Sequence, residues 1–379
     1  MEGVTARVDL DAIRDNVRLV RSLAGDRAVM ACVKGNAYGH GLLAVGRCLE
    51  AAGVTWLTLG SPSEALALRE AGIKTRVLLF PTIAGLDLMP LVAGGITIGV
   101  QSSEEAAALA RDAGGRSSVF LKVDSGFGRV GVPLAGAMAE ARRIARLASV
   151  TLEGVFTHLP FAGAESVPWA QERLKAFGEV ASTIQDEVGG PLVVQALAST
   201  GLACGLDAPG TNAVCPGQLL YGVQPAWTSD EGRPFVDGLR PALMEVTTVA
   251  GSLRAIDAGA RFGPGGARTA ARPTRVGVLP VGFSNSILVR KPGQRAFVAG
   301  QPVEILSVSL EHTVVDLTDA GPIGERATVH LVSRNPAQGP SLEQVARAQG
   351  RAAVEVLVAL TGNAFYEYLS GPDSKGGTP

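Results

Sequence analysis

The sequence predicts an α/β fold, a (β/α)8 TIM-type barrel over residues 1–237 followed by a mostly β C-terminal domain over 238–370, with 371–379 a disordered tail. Three observations predict it. Eight short apolar runs alternate with alanine-rich helical patterns through the first two-thirds of the chain. Glycine- and proline-punctuated strands fill the remainder. The polar residues best suited to chemistry fall at the C-terminal ends of the early runs, where such barrels carry their sites.

Taken in order, "DLDAIRDNVRLVRSLAG" opens as a helix. It has Asp9 or Asp11 as N-cap, apolar Leu10, Ile13, Val17 and Val20 at helical spacing, and Gly25 beyond its end. Strand-like runs follow at 28–33, 55–60, 76–80, 96–100, 118–124, 151–158, 192–197 and 212–215. Near-continuous apolar character marks strands buried on both faces, hence a parallel sheet. Lys34, the stretch from Lys122 to Arg129, His158, Ser199 and Cys215 stand at their C-terminal ends. Later segments such as "ALMEVTTVAGSLRAI", "TRVGVLPVGF" and "ERATVHLVS" read as strands of the second domain.

Composition narrows the function. The 379 residues are 46% apolar and 18% charged, with a net charge of −1. That supports a large core and argues against a nucleic-acid surface. No apolar run reaches the ~18 residues of a membrane span. The N-terminus has no signal-peptide pattern, and Cys32, Cys48, Cys204 and Cys215 form no C-x-x-C pair. Reduced thiols and a cytoplasmic location are expected.

The stretch "ACVKGNAYGHG" sets Lys34 at a strand end before a turn of Gly35, Asn36, Gly39 and Gly41, with Tyr38 close by. A lone lysine is ordinarily a solvated surface group. Glycines that let the backbone approach a ligand favour a covalent role instead.

"VKGNAYGHG" resembles the cofactor-lysine signature of the alanine racemases, the fold-type III pyridoxal-phosphate enzymes. The likeness continues in order through "VDLDAIRDNVR", "LKVDSGFGRVGV", "GVFTHL", "PGQLLYGVQP", "LRPAL", "PVGFSNS" and "VVDLTD". The resemblance implies pyridoxal 5'-phosphate as cofactor, a small amino acid as substrate, and a head-to-tail homodimer in which each β domain completes the partner's site. It further implies that Lys34 holds the cofactor as a Schiff base and moves the α-proton on the D face. Tyr38, Ser199, Gly217 and Gln218 would contact the phosphate. Arg129 would meet the cofactor phenolate and the substrate carboxylate, His158 would face the cofactor ring, and Lys122 aligns with a lysine often carbamylated in the family.

Four departures stand out. Phe283 replaces the tyrosine that serves as the L-face base, and Asn285 the aspartate two residues on. Cys215 replaces the arginine at the pyridine nitrogen. Leu310 and Glu311 replace Met-Asp, so Phe283 and Leu310 would reshape the substrate-side wall. Val354 replaces a phosphate-contacting tyrosine. His312 has no evident second ligand, so no metal is assigned. The expected function is amino-acid racemisation or one-face α-proton transfer. The alternatives are a specialised decarboxylase, aldolase, eliminase or transaminase on the same scaffold, or a catalytically weak cofactor-holding protein.

Overall fold

A computed structural model describes residues 3–81, 87–112, 116–159, 161, 163–225, 227, 231–285 and 295–370. The chain divides into two compact units. One comprises Ala12–Ala37 and Leu42–Arg240; the other Met1–Asp11, Tyr38–Gly41 and Pro241–Pro379.

In chain order, the first strand is β1 (Thr5–Asp9). The strands of the barrel unit are β2 (Ala28–Cys32), β3 (Trp56–Leu59), β4 (Arg76–Leu79), β5 (Thr97–Val100), β6 (Ser117–Asp124), β7 (Val132–Pro133), β8 (Val150–Phe156), β9 (Val193–Leu197) and β10 (Ala213–Val214). Their order is β5-β4-β3-β2-β10-β9-β8-β6, and pairing of β5 with β6 closes the ring. Every pair is parallel, with the short β7 appended to β6. All eight expected barrel strands are present.

The helices cover the outside because their apolar residues recur at helical spacing. In Leu10–Ala24 the buried set is Ala12, Ile13, Val17, Val20 and Ala24. Buried Asn16 donates through Nδ2 to the carbonyls of Leu220 and Arg240, tying this helix to the end of the unit.

Inside the ring, Met30, Trp56, Leu78, Phe120, Phe156 and Ala213 form one layer, each from a different strand. Trp56 meets Phe120 edge-on at 5.1 Å. Gly154 makes room for that layer, since a Cβ there would lie 2.5 Å from Phe120 Cε1. Strand side chains repeat every two residues on one face. The next layer toward the C-terminal mouth is therefore Cys32, Thr58, Phe80, Lys122, His158 and Cys215. Parity alone turns these residues into the barrel.

The second unit holds β11 (Leu243–Val249), β12 (Ser252–Ile256), β13 (Arg261–Phe262), β14 (Arg268–Thr269), β15 (Thr274–Leu279), β16 (Arg295–Val298), β17 (Gln301–Val308), β18 (Thr313–Asp316), β19 (Thr328–Ser333) and β20 (Phe365–Leu369). Its sheet runs β12-β15-β18-β17-β16-β19-β11-β1-β20. The pairs are antiparallel except β1 with β20. Two helices, Leu342–Gln349 and Ala353–Thr361, precede β20. Ser341 and Gln344 form a reciprocal capping box at the first, and Gly350 closes it with φ 63°.

One difference from the sequence expectation is specific. The reading of 1–237 as one barrel included the N-terminus, but β1 is a strand of the second unit, inserted between β11 and β20. Its alternating pattern satisfies a half-exposed antiparallel sheet as readily as a barrel start, and periodicity does not name the partner. The expected tail at 371–379 lies outside the described residues.

Candidate active site

Lys34 follows β2 by two residues and opens a single turn of left-handed helix, Lys34–Gly39. The φ angles of Gly35, Asn36, Ala37, Tyr38 and Gly39 are 64, 55, 54, 53 and 79°. Left-handed backbone costs a non-glycine residue roughly 1–2 kcal/mol, so three in succession need support. Ala37 N donates to Val33 O at 2.9 Å. Asn36 N donates to Glu64 Oε1 at 2.6 Å, and Leu42 N to Asn36 Oδ1 at 2.7 Å. Tyr38 groups with the second unit, where Tyr366 donates its hydroxyl to Gly39 O at 3.3 Å. The turn leaves Lys34 exposed at the C-terminal end of the strand.

Lys122 sits two residues above Phe120 on β6, buried, with Nζ 4.8 Å from the Phe156 ring. Burial pulls its pKa down to about 7; Asp124 opposes that shift, Arg129 adds to it and Cys215 opposes it. His158 lies two residues past β8, stacked on Phe127 with centroids 6.0 Å apart. Burial lowers its pKa to about 3, assisted by the cations Lys122, Lys34 and Arg129. The imidazole is therefore neutral at any physiological pH. The same electrostatics establish that Lys34, Lys122, Arg129 and His158 share one neighbourhood.

Arg129 is exposed, with its guanidinium 4.2 Å above the Phe127 ring. Its loop folds around Asp124. Oδ1 accepts from Gly126 N at 2.9 Å and Phe127 N at 2.7 Å, and Oδ2 from Gly128 N at 2.8 Å and Arg129 N at 3.2 Å. Burial raises the carboxyl's pKa, but these four donors outweigh it and hold the group below the usual range.

Cys215 follows β10, its Sγ 3.2 Å from Thr58 Oγ1. A hydrogen bond shared with the Cys32 thiol, together with burial, raises its pKa far above the ordinary thiol value, so it is a neutral thiol. Ser199, buried just beyond β9, accepts on Oγ from Gly217 N at 3.0 Å and Leu219 N at 3.3 Å. With both lone pairs engaged, the hydroxyl can only donate to a third group. Gln218 begins the short turn Gln218–Tyr221 beside it.

In the second unit, Phe283 N donates to Ser309 O at 2.9 Å and Ser284 N to Leu310 O at 2.8 Å. Phe283 and Leu310 are 43% and 65% exposed, so the two form adjacent apolar projections. The structure thus gathers Lys34, Lys122, Arg129, His158 and Cys215 at the barrel mouth, with Ser199, Gly217 and Gln218 at the ends of β9 and β10.

The N-terminal domain of alanine racemase matches residues 8–225, and its C-terminal domain residues 243–368. The chain belongs to the alanine racemase family. Among curated relatives, the alanine racemase of Azoarcus sp. is 35% identical over 369 residues, covering 94% of this chain and 97% of that one. The alanine racemase of Thermobifida fusca is 33% identical over 323 residues, covering 83% and 84%. Among solved structures, alanine racemase from Streptomyces lavendulae superposes with a TM-score of 0.84 at 30% identity, covering 98% of both chains.

Around the site of this alanine racemase-family chain, Thr58, Cys32 and Glu64 escaped the sequence reading, and Asp124 entered it only within the stretch from Lys122 to Arg129. Thr58 and Cys32 follow from strand parity once the aromatic layer is identified. Asp124 was legible as an aspartate preceding two glycines, a pattern that gathers backbone N–H groups. Glu64, bonded to the left-handed turn, carries no local signal.

Proposed function

We propose that this alanine racemase-family chain is a pyridoxal 5'-phosphate-dependent isomerase that moves the α-proton of a small amino acid, alanine being the expected substrate. The observation that carries the reading is an exposed lysine at the head of a left-handed turn, sharing one mouth with an exposed arginine and a neutral, half-buried histidine.

The residues present fit the cofactor. Ser199 has a hydroxyl proton left for an anionic oxygen, beside the backbone of Gly217 and Gln218, and Tyr38 would add a phenol at the phosphate. Neutral His158 can lie against an aromatic ring without adding charge. Neutral Cys215, backed by Thr58, would face the pyridine nitrogen without protonating it. When bound, the cofactor supplies an electron sink for the pair left on Cα after proton removal.

Lys34 has two duties: to hold the cofactor aldehyde and, once released, to take or return the α-proton on the D face. Arg129 orients the substrate carboxylate with a planar, permanently charged group. Lys122, with a pKa of about 7, is neutral often enough near neutrality for its amine to add to CO2. A new C–N bond forms, one proton leaves, and the resulting carbamate neutralises charge near Arg129.

The working form is a head-to-tail homodimer in which the Phe283 and Leu310 projections wall the substrate side of the partner's site. Their exposure supports this, because adjacent apolar side chains gain from being covered. The four free thiols suit the cytoplasm. Phe283 carries no exchangeable proton, so the L face depends on another group and is the slower face.

Incubating holoenzyme in D2O with each alanine enantiomer tests both parts. D-alanine gains α-deuterium through Lys34, and Lys34→Ala abolishes it. L-alanine exchanges slower by roughly 10²-fold, the low end of a general base's contribution. Exchange with no small amino acid overturns the function, and equal rates for the two enantiomers overturn the part assigned to Phe283.

A further inference from the structure

The segment carrying Arg129 leaves β6 at Asp124 and returns as β7, where Val132 pairs with Val123 and Pro133 with Asp124. Residues 125–131 thus form a closed loop at the barrel mouth, and its shape is highly determined. Gly126, Gly128 and Gly131 hold φ of 131, 73 and 126°, which side-chain-bearing residues rarely adopt. The Thr157 hydroxyl donates to Ser125 Oγ at 2.9 Å in a buried bond, tying the loop to the residue beside His158. Gly131 N donates to Gln101 Oε1 at 3.1 Å.

The centre of the loop has a single organiser. Four backbone N–H groups, from Gly126, Phe127, Gly128 and Arg129, converge on the two oxygens of Asp124. An ionised carboxylate accepts such a set with all its lone pairs, and each charge-assisted bond is stronger than a neutral one. The loop's only long side chains are then placed by consequence. Phe127 lies against His158, and the Arg129 guanidinium rests on the Phe127 ring. Among the described residues the guanidinium has no aspartate or glutamate partner, and the contact that sets its direction is the Phe127 ring.

We infer that Asp124 is a positioning residue for Arg129: its carboxylate folds the loop so that the guanidinium is presented, pre-oriented on Phe127, to the carboxylate of the substrate. The inference rests on the role proposed above for Arg129 and adds a residue that touches neither cofactor nor substrate. Asparagine at this position is a sharp probe. Its amide oxygen still serves Gly126 and Phe127, while its NH2 group repels the N–H groups of Gly128 and Arg129.

The experiment compares Asp124→Asn, Arg129→Ala, the double variant and Phe127→Leu as folded holoenzymes. Propionate, a carboxylate that cannot react, is titrated against the absorbance of the bound cofactor, and KM and kcat are measured with D-alanine. Independently of substrate and cofactor, phenylglyoxal modification of Arg129 is timed by peptide mass spectrometry.

Asp124→Asn is expected to weaken propionate binding and raise KM about tenfold, with kcat changed less than threefold. Phe127→Leu should reproduce part of that loss. Arg129 should react with phenylglyoxal severalfold faster in both, and Asp124→Asn should cost nothing more once Arg129 is alanine. Unchanged phenylglyoxal reactivity in Asp124→Asn overturns the inference, as does a further, additive loss in the double variant, the mark of a merely structural role. If Arg129→Ala itself leaves propionate binding intact, the carboxylate role of Arg129 fails, and with it the presentation inferred for Asp124. Faster phenylglyoxal modification in Asp124→Asn would then still locate the error in that role and not in the loop.

Discussion

His158 illustrates how position sets chemistry one residue at a time. Parity along β8 turns it into the barrel, burial and three cations lower its pKa to about 3, and it stops titrating in the physiological range. The unfolded chain, with an ordinary imidazole near 6.5, still binds a proton between pH 3 and 6.5. In that window the unfolded state holds more protons, so stability rises with pH and is lost on acidification. The slope approaches about 1.4 kcal/mol per pH unit for one proton. Urea unfolding at pH 6.5 and pH 5 should show a larger loss in the native chain than in His158→Gln, the difference being the part due to this imidazole. An equal pH dependence in both would contradict the assigned neutrality. Lys122 carries the same logic at higher pH, since burial pulls its pKa down to about 7.

At the scale of elements, the barrel wall tolerates little change where one strand's glycine accommodates another strand's ring. A Cβ on Gly154 would lie 2.4 Å from Val193 O as well as 2.5 Å from Phe120 Cε1. The first contact is with a β9 carbonyl, which a rotamer change cannot relieve. Gly154→Ala should therefore destabilise by about 1–3 kcal/mol in chemical denaturation, and adding Phe120→Leu should restore only part of it. Full recovery in the double variant would show that the ring, not the strand backbone, sets the limit. The left-handed turn at Lys34 is the opposite case, strained backbone maintained by Glu64 and Asn36 to expose one amine.

For the whole molecule, the two units are interleaved in sequence, and β1 shows what that means energetically. It forms ladders with β11 on one side and β20 on the other. Arg7 adds ion pairs to Glu245 and Glu367, but at partly exposed positions such pairs contribute ~0–1 kcal/mol. The two backbone ladders therefore hold β1 more firmly than its charges do. Deleting residues 1–9 should free β20 and expose Phe365–Leu369 to limited proteolysis, whereas Arg7→Ala should not; an unchanged cleavage pattern after the deletion would contradict this. The barrel was legible because buried parallel strands must be apolar throughout and their ends must carry the polar groups. The fate of β1 was not, because an alternating strand does not encode its neighbours. Of the site, Lys34, Arg129 and His158 were legible from motif and strand end. Asp124 was marked only by the glycines that follow it, and Phe127 acts through ring contact, which becomes visible only once the loop is closed. All of this converges on one nitrogen. Borohydride reduction of the holoenzyme followed by peptide mapping should find a pyridoxyl group on Lys34 Nζ and on no other lysine; a reduced adduct elsewhere, or none at all, would contradict the account.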